Sequence, residues 1–177
     1  ATGMQTTAEL DGDEWVLNGE KWFSSSASVA DIAVVMAKTN PDAPRHEQYS
    51  TFIVELPNPG YQIVRNIETM QPHTELGLKL GGSHSEIIID DLRLPRENIL
   101  GGQGQGFNMG QHRLAYGRLR HGMHNVAMAQ RALDLAAGHV TQRETFGKRL
   151  ADRQGVRWMM ADCAAEIYKA RLMLLHI

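Results

Sequence analysis

The hydrophobic period of this 177-residue chain changes once, near Gly101, and that change limits the fold more than any other feature. Before it, short runs rich in β-branched and aromatic residues are separated by turn signals. Asp11-Gly12 and Asn18-Gly19 are dipeptides that favour tight hairpins, whose central residues need positive φ. They divide runs at 6–10, 14–17 and 20–24. Further runs follow at 31–37, 51–56, 61–65, 85–90 and 92–94, and the Pro-containing stretch 39–49 reads as a surface loop. Many short strands with regular turns predict an antiparallel β-barrel or sandwich.

After Gly106 the period becomes helical. Leu119, Met123, Val126, Leu133, Ala137 and Val140 form a heptad-like stripe interrupted by Gln130. Val156, Met160, Cys163, Ile167, Ala170 and Leu174 form a second stripe, spaced four and three apart. Two such helices joined through Phe146-Gly147 predict an antiparallel pair from a bundle. Two helices do not close a bundle, so the missing partners are expected beyond Ile177 or on another subunit. The expected class is α+β: a β-domain over 1–101, then the first two long helices of an incomplete four-helix domain over 102–177. The chain starts at Ala1 without Met and ends inside an apolar pattern with no stop signal, which reads as an internal piece of a longer protein.

Charge and composition exclude several partners. The net charge is -2 with a sequence pI of 6.5, and no basic face suggests nucleic acid. No apolar run approaches the ~20 residues that a membrane span needs. The single Cys163 cannot form an internal disulfide, which fits a reducing compartment: the cytoplasm, or the mitochondrial matrix in a eukaryote.

The densest chemistry lies in Arg143-Glu-Thr-Phe146-Gly147-Lys148-Arg-Leu150, answered by Gln154 and preceded by Arg118. Arg donates two parallel charge-assisted hydrogen bonds, which suits a pyrophosphate. Phe can cover an adenine face, and Gln can read amide or ribose edges. The same R-x-x-F-G turn can also be a plain helix C-cap with a left-handed glycine. Trp22-Phe23-Ser24-Ser25-Ser26 offers two aromatics and three hydroxyls, either to line a flat conjugated ring or simply to end a hairpin. The glycines at 101, 102, 104 and 106 lack the spacing of a phosphate loop and read as a flexible joint. Asp90-Asp91 reads as a solvated turn at a strand end, and Cys163 as a core residue. His112, His121, His124 and His139 read as surface or interface residues, because no carboxylate or Cys completes a ligand set; no metal is expected.

In this order the pieces resemble the acyl-CoA dehydrogenase family across essentially the whole chain. The resemblance runs from L-N-G-E-K-W-F-S-S through E-I-I-I-D-D-L-R-L-P-R-E-N-I-L-G, G-x-G-F and Y-G-R. It continues through A-Q-R-A-L-D, Q-R-E-T-F-G-K-R-L and Q-G-V-R-W-M-M-A-D to E-I-Y-K-A-R. G-R-L-R-H-G-M is most similar to the subgroup of acyl-CoA dehydrogenases 10 and 11.

The resemblance implies a middle β-domain followed by the start of the C-terminal helical domain, with FAD as cofactor. Phe23 matches a residue packed beside the isoalloxazine, and Ser25 one whose hydroxyl bonds flavin N5. Arg143, Phe146 and Gln154 match residues that reach the adenosine-pyrophosphate half of an FAD held by a neighbouring subunit. This implies a homodimer or homotetramer. Arg118 matches a contact to the CoA of the acyl-CoA substrate. The implied reaction is α,β-dehydrogenation in β-oxidation of fatty acids, with electrons passing to an electron-transferring flavoprotein. Three positions depart from the family: Phe23 stands where Trp is usual, Ser25 where Thr is usual, and Ala115 where Asp is common. The catalytic Glu of some branches falls at Gly117, which has no proton acceptor, so the base is expected beyond Ile177. The piece alone is then expected to be inactive. An acyl-CoA oxidase or flavin monooxygenase on the same fold, and a non-catalytic acyl-CoA-binding or assembly module, are the alternatives.

Overall fold

A computed structural model describes residues 3–70 and 83–177. The chain divides into two compact units, Ala1–Gln111 and His112–Ile177.

The first unit is built on seven strands: β1 (Thr7–Asp11), β2 (Glu14–Ser25), β3 (Ile32–Lys38), β4 (Tyr49–Glu55), β5 (Tyr61–Ile67), β6 (His84–Pro95) and β7 (Ile99–Leu100). They form one sheet in the order β5-β6-β2-β1-β3-β4-β7. Pairing is antiparallel except between β1 and β3, which run parallel where Thr7 faces Lys38. Trp15, Leu17, Val35, Phe52, Val54, Ile87, Ile89, Leu92 and Leu94 are buried in one cluster. The Trp15 and Phe52 rings meet edge-on, with centroids 5.3 Å apart. Two strands separate β2 from β4 in the sheet, so a flat sheet would hold those strands about 14 Å apart at the usual spacing. The sheet therefore curls over its apolar face and packs that face against itself.

Asp11-Gly12 makes the expected turn between β1 and β2, with Gly12 at φ 62°. Asn18-Gly19 does not. It lies inside the 12-residue β2, where pairing with β6 steps from Leu17–Leu92 to Gly19–Ile89. Asn18 therefore faces both Asp90 and Asp91, and the extra residue Asp91 takes φ 44°. Its backbone N–H donates to Asn18 Oδ1 at 2.9 Å. Asp90-Asp91 is thus a bulge within one strand, and the expected runs 85–90 and 92–94 are a single β6. Gly19 is required for a different reason from a hairpin glycine. At φ 143° its backbone passes so close to the residue before β1 that a Cβ would lie 2.7 Å from Thr6 Cα.

The glycines before the first helix are clamped, which corrects their reading as a flexible joint. The Gly104 N–H donates to Ser50 Oγ at 2.9 Å in a buried bond. A Cβ on Gly106 would come within 2.8 Å of the Tyr49 carbonyl oxygen. His46 and Phe107 stack with centroids 4.3 Å apart.

The helical pattern gives α1 (Gly106–Gln142) and α2 (Gln154–Leu175). In the second unit Leu119, Val126, Leu133 and Val140 of α1 are half-buried, as are Val156, Met160, Ile167, Ala170 and Leu174 of α2. Gly122 lies against Leu174, and Arg171 Nη2 donates to Gln130 Oε1 at 3.2 Å. Early residues of α1 thus meet late residues of α2, and the helices are antiparallel. Gln130, the interruption in the stripe, also donates to Asp134 Oδ1 at 2.9 Å. Cys163 is exposed rather than core, because two helices leave one side of that stripe uncovered.

Candidate functional site

In the β-unit the candidate residues gather where β2 ends. Pairing with β6 steps from Lys21–Ile87 to Ser24–Ser85, so Trp22 and Phe23 together face Glu86. The bulge puts Phe23 at φ 57° and leaves its side chain 50% exposed. A bulky residue gains nothing intrinsic from that conformation, which costs on the order of 1–3 kcal/mol. Trp22 packs edge-on against Phe23, and the Arg65 guanidinium lies 5.3 Å from the Trp22 ring centroid. Arg65 is held by Glu86 through an Nε–Oε2 contact of 2.7 Å. Ser25 directly faces His84 across the strands, and its Oγ lies 3.0 Å from His84 Nδ1. The His84 ring also touches Phe23, with centroids 5.9 Å apart. After Ser25, Ser26 takes φ 61° and the chain turns away through a 3-10 turn at Ala27–Val29.

Lys21, at the start of this bulge, donates to the Met36 carbonyl at 2.7 Å. Burial lowers its pKa to about 8.

In the helical unit the Phe146-Gly147 segment is a two-residue β-hairpin, not a helix C-cap. β8 (Glu144–Thr145) pairs with β9 (Lys148–Arg149), and Phe146 and Gly147 take φ 50° and 70°. Two consecutive positive φ values define the type I′ turn that suits the twist of tight hairpins. Gly fills its place at no cost; Phe does not, and it stands 97% exposed. Arg153 braces this turn. Its Nη2 donates to the Thr145 carbonyl, and its guanidinium lies 5.9 Å from the Phe146 ring centroid.

The backbone of Arg143 accepts from Leu150 N–H at 2.9 Å, which closes the hairpin at the end of α1. Arg143, Phe146 and Gln154 are thereby gathered at one corner. The side chains of Arg143 and Gln154 have no hydrogen-bond or ion-pair partner among the described residues. Arg118 is not brought to this corner: it stands exposed on α1, roughly 36 Å away at 1.5 Å per residue. Gly117 beside it bears no side chain.

His84 and Arg153 are the residues that sequence reasoning missed. Among the described residues no group of three or more His, Cys, Asp or Glu is placed to hold a metal. No helix among them is long and apolar enough to cross a membrane.

Comparison with known proteins gives the class. The family model for the acyl-CoA dehydrogenase middle domain matches residues 1–92, and that for the acyl-CoA dehydrogenase C-terminal domain matches 104–177. The chain belongs to the acyl-CoA dehydrogenase family of flavoprotein oxidoreductases. It is 38% identical over 178 residues to acyl-CoA dehydrogenase family member 11 of Gallus gallus, covering 99% of this chain and 22% of that protein. It is 38% identical over 174 residues to subunit CarC of the caffeyl-CoA reductase-Etf complex of Acetobacterium woodii, covering 98% of this chain and 44% of that protein. Its structure resembles that of butyryl-CoA dehydrogenase from Megasphaera elsdenii with a TM-score of 0.82 and 30% identity, covering 99% of this chain and 44% of that one. The chain thus spans less than half the length of these relatives.

Proposed function

We propose that this chain supplies cofactor-facing and CoA-facing parts of an FAD-dependent acyl-CoA dehydrogenase. The observation that carries the reading is that Phe23 and Phe146 both stand in left-handed backbone with their rings exposed. Neither burial nor propensity rewards that strain, whereas a planar ligand would. The donor set fits FAD: a ring and hydroxyl at the end of β2, and a separate corner carrying an unpaired guanidinium, a ring and an amide.

When bound, FAD supplies the hydride acceptor for α,β-dehydrogenation of an acyl-CoA thioester. The chain's residues bind and orient. Phe23 packs beside the isoalloxazine and the Ser25 hydroxyl donates to N5. The Arg143 fork grips the pyrophosphate, Phe146 covers the adenine, and Gln154 reads ribose or amide edges. The exposure of the Arg143 corner supports its serving a cofactor held by a second copy of the chain, in a dimer or tetramer. Arg118 takes a phosphate or carbonyl of CoA, far from that corner. Gly117 cannot accept a proton, so we place the base, a Glu, beyond Ile177. The Etf complex containing the Acetobacterium woodii relative supports an electron-transferring flavoprotein as the electron-transfer partner, which in a dehydrogenase would accept the electrons.

The test is the visible spectrum of the whole protein, followed anaerobically while acyl-CoAs of graded chain length are added. Bleaching of a flavin band by one length is the expected result. A flavin that no acyl-CoA bleaches would refute the dehydrogenase reading, and a colourless protein that FAD cannot reconstitute would refute the cofactor.

A further inference from the structure

A serine hydroxyl has one proton, and with the proposed flavin bound two acceptors would compete for it at Ser25. One is flavin N5 and the other is His84 Nδ1, 3.0 Å from Ser25 Oγ. If His84 carries its proton on Nε2, then Nδ1 accepts from Ser25 and nothing remains for N5. If Nδ1 carries the proton, it donates to Ser25 Oγ, and the hydroxyl proton is free to point outward.

The backbone brings the two side chains together. Ser25 and His84 are directly opposed residues of antiparallel strands, so their Cβ atoms are held about 5 Å apart. The bulge at Trp22-Phe23 sets the Phe23 ring against His84 as well, at 5.9 Å and 69°. On its other side, strand β6 pairs His84 with Ile67 of β5, a buried apolar residue that offers no competing polar group. His84 Nδ1 therefore has Ser25 as its hydrogen-bond partner among the described residues.

We propose that His84 is a positioning residue for Ser25, donating from Nδ1 so that the Ser25 hydroxyl is committed to the flavin. The proposal rests on the assignment of Ser25 to N5 and adds what directs that hydroxyl. It also gives a reason for serine to serve at this place: the strand pairing, rather than a side-chain methyl, fixes the direction of the hydroxyl.

The first test needs no turnover. Long-range proton–nitrogen correlation spectra of the whole protein labelled with ¹⁵N-histidine report which ring nitrogen is protonated. His84 is identified by the signals lost in His84→Asn. The expected result is protonation at Nδ1. A neutral ring protonated at Nε2 would overturn the proposal.

The second test uses the flavin-loaded protein. His84→Phe keeps a ring against Phe23 and removes the donor; it should slow reduction by acyl-CoA roughly tenfold, the scale of one well-placed hydrogen bond. His84→Asn puts an amide near the Nδ1 position and should restore most of the rate. Adding His84→Phe to Ser25→Ala should cost nothing further, because the two act through one bond. Independent, multiplying losses would overturn the proposal. A protein that takes up no FAD would instead refute the assignment of Ser25 to a flavin, whichever tautomer His84 shows, and the proposal would fall with it.

Discussion

Phe146 is a residue whose replacement should stabilise the protein while weakening its grip on a ligand. It occupies the first central position of a type I′ turn at φ 50°. For an L-residue other than Gly, Asn or Asp, left-handed backbone costs roughly 1–2 kcal/mol. Its ring returns little of that. It is 97% exposed, so almost no apolar area is lost on removal. Its one aromatic contact is the Arg153 guanidinium at 5.9 Å, worth about 0.5 kcal/mol at an exposed site. Phe146→Asn places the favoured turn residue there and should raise the unfolding free energy of the cofactor-free protein by about 0.5–1.5 kcal/mol. At a urea m-value of about 2 kcal/mol/M the midpoint would rise by roughly 0.25–0.75 M with unchanged slope. Fluorescence-detected urea unfolding measures it, and FAD retention by the same variant should fall. A midpoint equal to or below that of the parent would show that no strain is stored in the turn, and the argument from exposed left-handed aromatics would lose its basis.

Three further outcomes are expected. Gly19→Ala should destabilise the β-unit by about 2–5 kcal/mol, because a Cβ 2.7 Å from Thr6 Cα adds backbone overlap to an unfavourable φ; a change below about 0.5 kcal/mol in urea unfolding would contradict that close approach. Lys21 titrates near 8 when folded and near 10.5 when unfolded, so between these values the unfolded chain holds more protons and stability rises with pH. The gain is at most about 3 kcal/mol from pH 8 to 10.5, and it should vanish in Lys21→Met; identical pH profiles for the two proteins would refute it. Arg143→Ala should weaken FAD binding roughly 10- to 100-fold, the range of a charge-assisted bidentate contact, with Arg143→Lys recovering only part; flavin fluorescence titration at matched ionic strength would expose an unaffected affinity.

How far the sequence can be read is shown by its two hairpin-like dipeptides. Asp11-Gly12 and Asn18-Gly19 carry the same local signal, since each supplies a residue tolerant of positive φ. Only the first joins two strands. What separates them is remote: Thr6 crowding Gly19, and Asp91 seeking Asn18 Oδ1. Local chemistry announced a special backbone conformation but not which one. The helices were more legible, because four positions seven apart in α1 suffice to mark a face. Even the flaw in that stripe, Gln130, has its partner on the neighbouring helix in Arg171.

For the candidate site, Arg143, Phe146 and Gln154 fall within one short stretch and could be collected from sequence. Ser25 and Phe23 could be singled out as a ring beside a hydroxyl. His84 could not, because it lies 59 residues from Ser25 and meets it only through the β2–β6 register. Arg153 was hidden for a smaller reason. Eight residues separate it from Thr145, and its role appears only when the turn between them is seen to be a hairpin rather than the end of a helix.

The extra residue at Asp91 gives β6 something like a reading frame. Before it the core residues are Ile87 and Ile89, at odd positions; after it they are Leu92 and Leu94, at even ones. A regular strand could bury one pair or the other, never both, because successive side chains alternate faces. Straightening β6 with both Asp90 and Asp91 retained would turn Leu92 and Leu94 to the solvent and Arg93 into the core. Deleting one of those two residues would instead leave a regular strand with both pairs still facing inward. The bulge is thus the one place where β6 can shorten by a residue without moving its core, while a residue lost between Leu92 and Leu94 or between Ile87 and Ile89 would put those partners on opposite faces.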